Sequence, residues 1–186
     1  MAKTFSKMME LGTVAPDFEL QDVISKQKKS LDDLASEVAT VIMFICNHCP
    51  FVIHVQKELV RLASDYLPKG VSFVAINSND ISEYPQDSPE KMQETAKNLK
   101  YPFPYLYDET QEVARAYDAA CTPDFFVFDK NRRCVYRGRI DESTPGNAVP
   151  VTGQDLRKAL DAIIAGTPVN AKQYPSVGCN IKWKTS

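Results

Sequence analysis

The chain reads VATVIMFI over Val38–Ile45 and then CNHCP over Cys46–Pro50. The first segment is a continuous apolar run rich in β-branched residues, which is typical of a strand buried on both faces of a sheet. After the CNHCP motif, apolar side chains recur at helical spacing, so we predict a helix there, with Lys57, Glu58 and Arg61 on its solvated face. The two cysteines of the motif therefore lie between a buried strand and the start of a helix.

Further strand and helix patterns alternate along the rest of the chain. Apolar runs predict strands at Val71–Ile76, Phe125–Phe128 and Cys134–Ile140. Helical spacing predicts helices after Ser88, around Val113 and from Leu156 onward. Because the last two strands are joined by a short turn, we expect them to be antiparallel. Together these patterns predict an α/β domain with a mixed sheet.

The composition argues against several classes of partner. With 186 residues and 44% hydrophobic content, the chain is long enough for one buried core, which we assign to residues 1–166, with residues 167–186 as a tail packed on it. The 22 basic and 24 acidic residues are mixed along the chain, so we expect neither nucleic acid nor membrane as a partner. The first residues lack the apolar stretch of a secretory signal, so we expect a cytoplasmic protein.

The chain contains five cysteines: Cys46, Cys49, Cys121, Cys134 and Cys179. An odd number of cysteines without an export signal favours reactive thiols or a metal site over a disulfide scaffold. One Cys-x-x-Cys pair supplies half of a tetrahedral zinc site, and no second pair follows. We therefore expect no metal and no other cofactor, and we assign the motif to thiol redox chemistry.

Cys49 is the predicted nucleophile. A thiol reacts as its anion, and the pKa of an unperturbed cysteine is about 8.5. The N-terminus of a helix lowers that pKa through its dipole and its free N–H groups, and Cys49 falls at the N-cap, with Pro50 at the first helical position. We expect His48 to donate to the thiolate or, when protonated, to stabilise it. Cys46 is close enough in sequence to form a disulfide with Cys49.

Three segments of the chain resemble the thioredoxin-like superfamily, and within it the redoxin or AhpC/TSA family of peroxiredoxin-like and TlpA/ResA-like proteins. They are GTVAPDFEL at Gly12–Leu20, the CNHCP motif, and Thr122-Pro123 before a predicted strand. The motif and the C-terminal sequence also resemble a bacterial redoxin subgroup. The resemblance implies a thioredoxin-like fold with a central mixed sheet flanked by helices. It also implies that Pro123 follows a cis peptide bond, and that Thr122 offers backbone groups to an extended substrate chain beside the reactive sulfur.

The chain departs from the family pattern in ways that leave the resolving thiol open. Counting from Phe44 at the end of the central strand gives Cys49 the nucleophile position, so that Cys46 precedes the usual first cysteine. Cys46 also replaces the threonine of the peroxiredoxin pattern Pro-x-x-x-Thr-x-x-Cys. Cys121 is expected near the active site through Pro123, as a resolving thiol or as a small buried hydrophobe.

Two cysteines lie further from the motif. Cys179 follows Gly178, which permits a tight turn. It is either a distal resolving thiol, brought back by the tail, or a free surface cysteine. Cys134 has no ionising partner nearby in sequence, and we interpret it as structural.

Three functions follow from these residues. The prediction is a thiol-disulfide oxidoreductase: the Cys49 thiolate attacks a protein or small-molecule disulfide, Cys46, Cys121 or Cys179 resolves it, and thioredoxin or glutathione serves as reductant. One alternative is a peroxiredoxin-like antioxidant peroxidase in which Cys49 becomes a sulfenic acid. The other is a non-enzymatic protein that binds copper(I) or zinc through Cys46, His48 and Cys49.

Overall fold

The computed structural model describes residues 3–185, which form ten strands and five α-helices. The strands are β1 (Lys3–Phe5), β2 (Glu19–Asp22), β3 (Lys28–Ser30), β4 (Ala39–Phe44), β5 (Val71–Asn77), β6 (Tyr105–Tyr107), β7 (Cys121–Thr122), β8 (Asp124–Asp129), β9 (Cys134–Gly138) and β10 (Val177–Asn180). The α-helices are α1 (Leu31–Leu34), α2 (Pro50–Tyr66), α3 (Pro89–Leu99), α4 (Glu112–Ala116) and α5 (Gln154–Ile164), with 3-10 turns at Leu67–Lys69 and Pro85–Asp87. Within the described residues, no helix combines the length and the apolar character needed to cross a bilayer.

The centre of the fold is a seven-stranded sheet in the order β3-β2-β6-β5-β4-β8-β9. Strand β4 pairs parallel with β5 and antiparallel with β8, so the sheet is mixed, as predicted. All six residues of β4 are buried because its side chains face two separate cores, one on each side of the sheet. Buried residues of α2, α3 and α5 share one core, and those of α1 and α4 share the other.

Helix α2 begins where the sequence predicts and carries the residues that follow the CNHCP motif. Its first residue is Pro50, whose missing N–H is not needed in the first turn, and Cys49 is the extended N-cap residue. One residue on α2 departs from the prediction. Glu58 is 4% exposed because it pairs with Arg157 of α5 at 2.7 Å and with Arg61, instead of facing solvent.

The C-terminal segment forms a second, three-stranded sheet in the order β1-β10-β7. Strand β10 runs antiparallel to both neighbours, and it pairs Cys179 with Thr122 of β7. The backbones approach closely there: a Cβ atom on Gly178 would lie 2.0 Å from the Thr122 carbonyl oxygen. Glycine is therefore required at this position for β10 to lie against β7. Cys179 and Ile181 are buried in the two cores, while the domain boundary at residue 166 stays a prediction.

Candidate active site

The end of β4 and the start of α2 hold the two cysteines of the CNHCP motif beneath the surface. Cys49 is 0% exposed and Cys46 is 2% exposed. Cys49 is the N-cap residue of α2, at the end of the helix where the amides of the first turn have no intrahelical partners. This helix terminus provides the electropositive environment that the sequence predicts for the nucleophile.

The segment before β8 packs against both cysteines of the motif. The peptide bond between Thr122 and Pro123 is cis, as the family resemblance implies. The Thr122 carbonyl oxygen lies 3.3 Å from Cys49 Sγ, and the Thr122 hydroxyl oxygen lies 3.3 Å from Cys46 Sγ. Thr122 therefore forms one wall of the site, and Pro123 follows it through the cis peptide bond.

Strand β10 brings a third cysteine to the same place. Cys179 Sγ lies 2.7 Å from Cys49 Sγ, although the two residues are 130 positions apart in the chain. The length of a disulfide bond is about 2.05 Å, so little movement is needed to join these sulfurs. Cys179 is 4% exposed, which rules out the interpretation as a free surface cysteine in this conformation.

The three sulfurs differ strongly in acidity. The hydrogen bond donated by the Cys46 thiol, together with those from the Cys179 thiol and from the Val52 and Cys179 amides, lowers the pKa of Cys49 to about 5 against the effect of burial. Donation to Cys49, with burial, raises the pKa of Cys46 well above its usual range. Burial, with donation to Cys49, raises the pKa of Cys179 to about 12. At neutral pH the site therefore holds one thiolate between two protonated thiols.

His48 does not take the role expected from its place beside Cys49. Its Nδ1 atom lies 2.7 Å from a carboxylate oxygen of Asp87, and its ring stacks on Tyr84 with centroids 5.3 Å apart. Neither ring nitrogen donates to a cysteine sulfur. The reason is that Asp87 is fully buried and a buried carboxylate must be paired, so it holds the imidazole away from the nucleophile.

Asp87 is a residue of the site that the sequence did not reveal. It ends the 3-10 turn Pro85–Asp87, and its carboxylate accepts hydrogen bonds of 2.7 Å from the Asn47 amide and from the Asn79 side chain. Ligand atoms of Cys46, His48 and Asp87 lie within 4.8 Å of one another, which makes this the one group in residues 3–185 with a spacing suited to a metal ion. That group does not contain Cys49, in contrast to the metal set considered from the sequence.

The two remaining cysteines make hydrogen bonds to backbone carbonyl oxygens and not to the nucleophile. Cys121 is buried in β7 with its sulfur 3.7 Å from the Pro123 carbonyl oxygen, and burial raises the pKa of its thiol. Within the described part of the chain, no hydrogen bond joins Cys121 to Cys49, so Cys121 fits the interpretation as a small buried hydrophobe better than that as a resolving thiol. Cys134 lies in the core on the other face of the sheet, and burial raises its pKa to about 11.

The chain matches known proteins over most of its length. Residues 11–137 match the pattern of the AhpC/TSA family. A crystal structure of an uncharacterized conserved protein from Geobacillus kaustophilus has a TM-score of 0.99 and 64% identity, and the match covers 100% of this chain and 98% of that one. The thiol-disulfide oxidoreductase ResA of Geobacillus thermodenitrificans is 25% identical over 154 residues, which are 82% of this chain and 78% of the relative.

A more distant structure confirms the predicted fold class. The thioredoxin domain of a thiol-disulfide oxidoreductase from Bacteroides vulgatus has a TM-score of 0.60 at 16% identity, and the match covers 74% of this chain and 91% of that one. The fold of this chain is therefore thioredoxin-like, with a mixed sheet flanked by helices.

Proposed function

The chain belongs to the AhpC/TSA family, and we propose that it is a thiol-disulfide oxidoreductase in which Cys49 is the nucleophile and Cys179 the resolving thiol. The observation that carries the proposal is the 2.7 Å contact between the sulfurs of Cys49 and Cys179 at the N-terminus of α2. The thiolate at Cys49 supplies the attacking group, and the neighbouring thiol at Cys179 supplies the second sulfur that a disulfide requires.

The reaction proceeds in two exchanges. The Cys49 thiolate attacks one sulfur of a substrate disulfide, whose S–S bond breaks, so that one half leaves as a thiolate and the other half stays bonded to Cys49. Cys179 then loses its proton and attacks the Cys49 sulfur, which releases the second half. The substrate gains two electrons from the protein, one proton from Cys179 and one proton from solvent, and the protein retains a Cys49–Cys179 disulfide. A thiol reductant such as thioredoxin or glutathione restores both thiols by the reverse chemistry.

Cys46 has a supporting role in this scheme. Its thiol donates the hydrogen bond that contributes most to the low pKa of Cys49, and its own pKa is raised well above the usual range. The pKa of Cys179 is raised as well, so acidity does not decide between the two thiols; Cys179 is favoured because its Sγ lies 2.7 Å from Cys49 Sγ. We therefore assign Cys46 to activation of Cys49 and assign resolution to Cys179.

A peroxidase is the second candidate, and the burial of the nucleophile favours it. Cys49 is 0% exposed, which disfavours bulky substrates relative to a small hydroperoxide. The Cys49 thiolate would take the distal oxygen of the peroxide to become a sulfenic acid, and the alcohol or water would leave with one proton. Cys179 would then condense with the sulfenic acid, forming the same disulfide and releasing water.

Disulfide mapping by mass spectrometry tests the proposal. We expect oxidised protein to contain a Cys49–Cys179 bond, and the Cys179→Ser variant to retain the substrate half as a mixed disulfide on Cys49. The matched control is Cys134→Ser, which should turn over normally because Cys134 lies in the other core. A Cys49–Cys46 bond as the main product would refute the assignment of Cys179. Faster oxidation by hydrogen peroxide than by glutathione disulfide would favour the peroxidase.

A further inference from the structure

We propose that β10 is an internal occupant of the substrate site: Cys49 meets a polypeptide disulfide only after β10 leaves the cis-proline segment, and β10 then returns with Cys179 to expel the product. The inference rests on the proposed function and adds a gate to it. One strand thereby both closes the site and carries the thiol that completes the reaction.

The backbone position for an extended chain beside the nucleophile is already filled. Thr122 precedes the cis proline, and its backbone is the part of the site that the family resemblance assigns to a substrate strand. In this structure Thr122 pairs antiparallel with Cys179. The Cys179 sulfur also lies 2.7 Å from the Cys49 sulfur, so the tail provides the backbone pairing and the side-chain contact that a cysteine-containing substrate would make.

With β10 in place, an external disulfide has no route to the reactive sulfur. The exposed fractions of Cys46, Cys49 and Cys179 are 2%, 0% and 4%. Exchange requires an attacking sulfur to contact the disulfide directly along the S–S axis. A polypeptide cannot make that contact with a sulfur of zero exposure, and therefore β10 must move before exchange.

Discrete contacts outside the reactive centre hold β10 in place. At one end, the Ser6 hydroxyl accepts from the Ser176 amide at 2.8 Å, and the Ser176 hydroxyl donates to the Gly138 carbonyl at 2.9 Å. At the other end, the Lys182 amide donates to the Asn79 side chain at 2.8 Å. These contacts allow the gate to be weakened by substitutions that do not alter any cysteine.

The geometry of β10 also indicates the sequence and conformation of a substrate segment that could replace it. A Cβ atom on Gly178 would lie 2.0 Å from the Thr122 carbonyl oxygen, so the residue before the cysteine must be glycine for the strand to lie at this depth. The site is therefore suited to an extended polypeptide segment in which glycine precedes cysteine. A peptide with the sequence of residues 176–183, SVGCNIKW, is the natural probe.

The gate is tested by labelling kinetics. We expect Ser6→Ala to increase the labelling rate of Cys49 by roughly fivefold with iodoacetamide, with glutathione disulfide and with the peptide disulfide alike, because one hydrogen bond contributes about 1 kcal/mol. The matched control is Ser64→Ala, which removes a hydroxyl from the exposed side of α2. Cys134 labelling in the same samples reports global unfolding. An unchanged rate at Cys49, or equal rises at Cys49 and Cys134, would overturn the gate.

A second variant and a second peptide keep the proposal testable if Ser6→Ala changes the labelling rate too little to measure. Gly178→Ala places a methyl group against the Thr122 carbonyl and should raise Cys49 labelling more than Ser6→Ala does, again without a rise at Cys134. Both peptides are supplied as their symmetrical disulfides, so that one peptide thiolate leaves when Cys49 attacks. In the Cys179→Ser protein, the peptide with valine in place of its glycine should form the mixed disulfide with Cys49 at least tenfold more slowly than SVGCNIKW. Equal rates for the two peptides would contradict the proposed substrate geometry.

Failure of the gate and failure of the proposed function give different results. If the gate is wrong, oxidation of the unmodified protein still yields the Cys49–Cys179 disulfide while labelling remains insensitive to Ser6→Ala. If the proposed function is wrong, that disulfide does not form, whatever the labelling rates of the variants are.

Discussion

Replacing Cys46 by alanine should raise the pKa of the nucleophile by one to two units. The hydrogen bond from the Cys46 thiol is the largest of the contributions that hold the pKa of Cys49 at about 5. Hydrogen bonds to a charged group contribute about 1.5–3 kcal/mol, and one pKa unit corresponds to about 1.4 kcal/mol. Loss of this bond should therefore move the pKa of Cys49 to about 6–7, while the Cys179 thiol and the Val52 amide still stabilise the anion.

The shift is best measured below neutral pH. At pH 6 the thiolate fraction of Cys49 should fall from about nine tenths to between about one half and one tenth, whereas at pH 7 the loss is smaller. The assay is the pH dependence of Cys49 alkylation by iodoacetamide, quantified by mass spectrometry and checked by the ultraviolet absorbance of the thiolate. Cys134→Ala is the matched control and should leave the inflection at about pH 5. The same inflection in Cys46→Ala would refute the hydrogen-bond argument.

Three further predictions concern residues around the core. His48→Gln should leave the pKa of the nucleophile unchanged in the same alkylation assay, because the imidazole faces a buried carboxylate; a shift above half a unit would contradict this. Asp124→Asn should increase the free energy of unfolding at pH 7, because burial raises the pKa of Asp124 well above 3.8. The favourable contribution of the protonated carboxyl is complete below pH 3.8 and is lost as the pH rises through the raised pKa. In urea titrations the gain should vanish near pH 4, and a pH-independent gain would refute it. Arg157→Met should lower the free energy of unfolding by about 2–4 kcal/mol, because it leaves the buried Glu58 carboxylate poorly paired. Arg132→Met, at an exposed ion pair, should lower it by under about 1 kcal/mol. Equal losses in the two variants would count against the importance of the buried pair.

The sequence was sufficient for the parts of the fold that depend on local patterns. The apolar run before the motif is a strand buried on both faces, and Pro50 starts α2, because both features follow from neighbouring residues alone. The assignment of Cys49 to the N-cap rests on the same local chemistry. The mixed sheet also agrees with the prediction, since a short turn between β8 and β9 leaves little choice of orientation.

Features that depend on pairing between distant parts of the chain could not be predicted from local sequence patterns. Residues 177–180 show no alternation, and β10 forms because Gly178 lets its backbone approach Thr122, which a periodicity argument does not detect. Glu58 was expected in solvent because nothing in its own helix indicates the guanidinium of Arg157. His48 was expected on the thiolate because Asp87, its actual partner, lies in a separate turn.

The small sheet formed by β1, β10 and β7 has a consequence for how the protein reaches its native state. It joins Ser6 to Ser176, which are 170 residues apart, and contacts of such sequence separation carry a large loop-closure cost and form late. During refolding, Cys49 therefore spends time without the partner that later covers it, and it is then open to mispairing with any other thiol of the chain. Recovery of native protein from denaturant should depend on a reducing environment until this closure is complete.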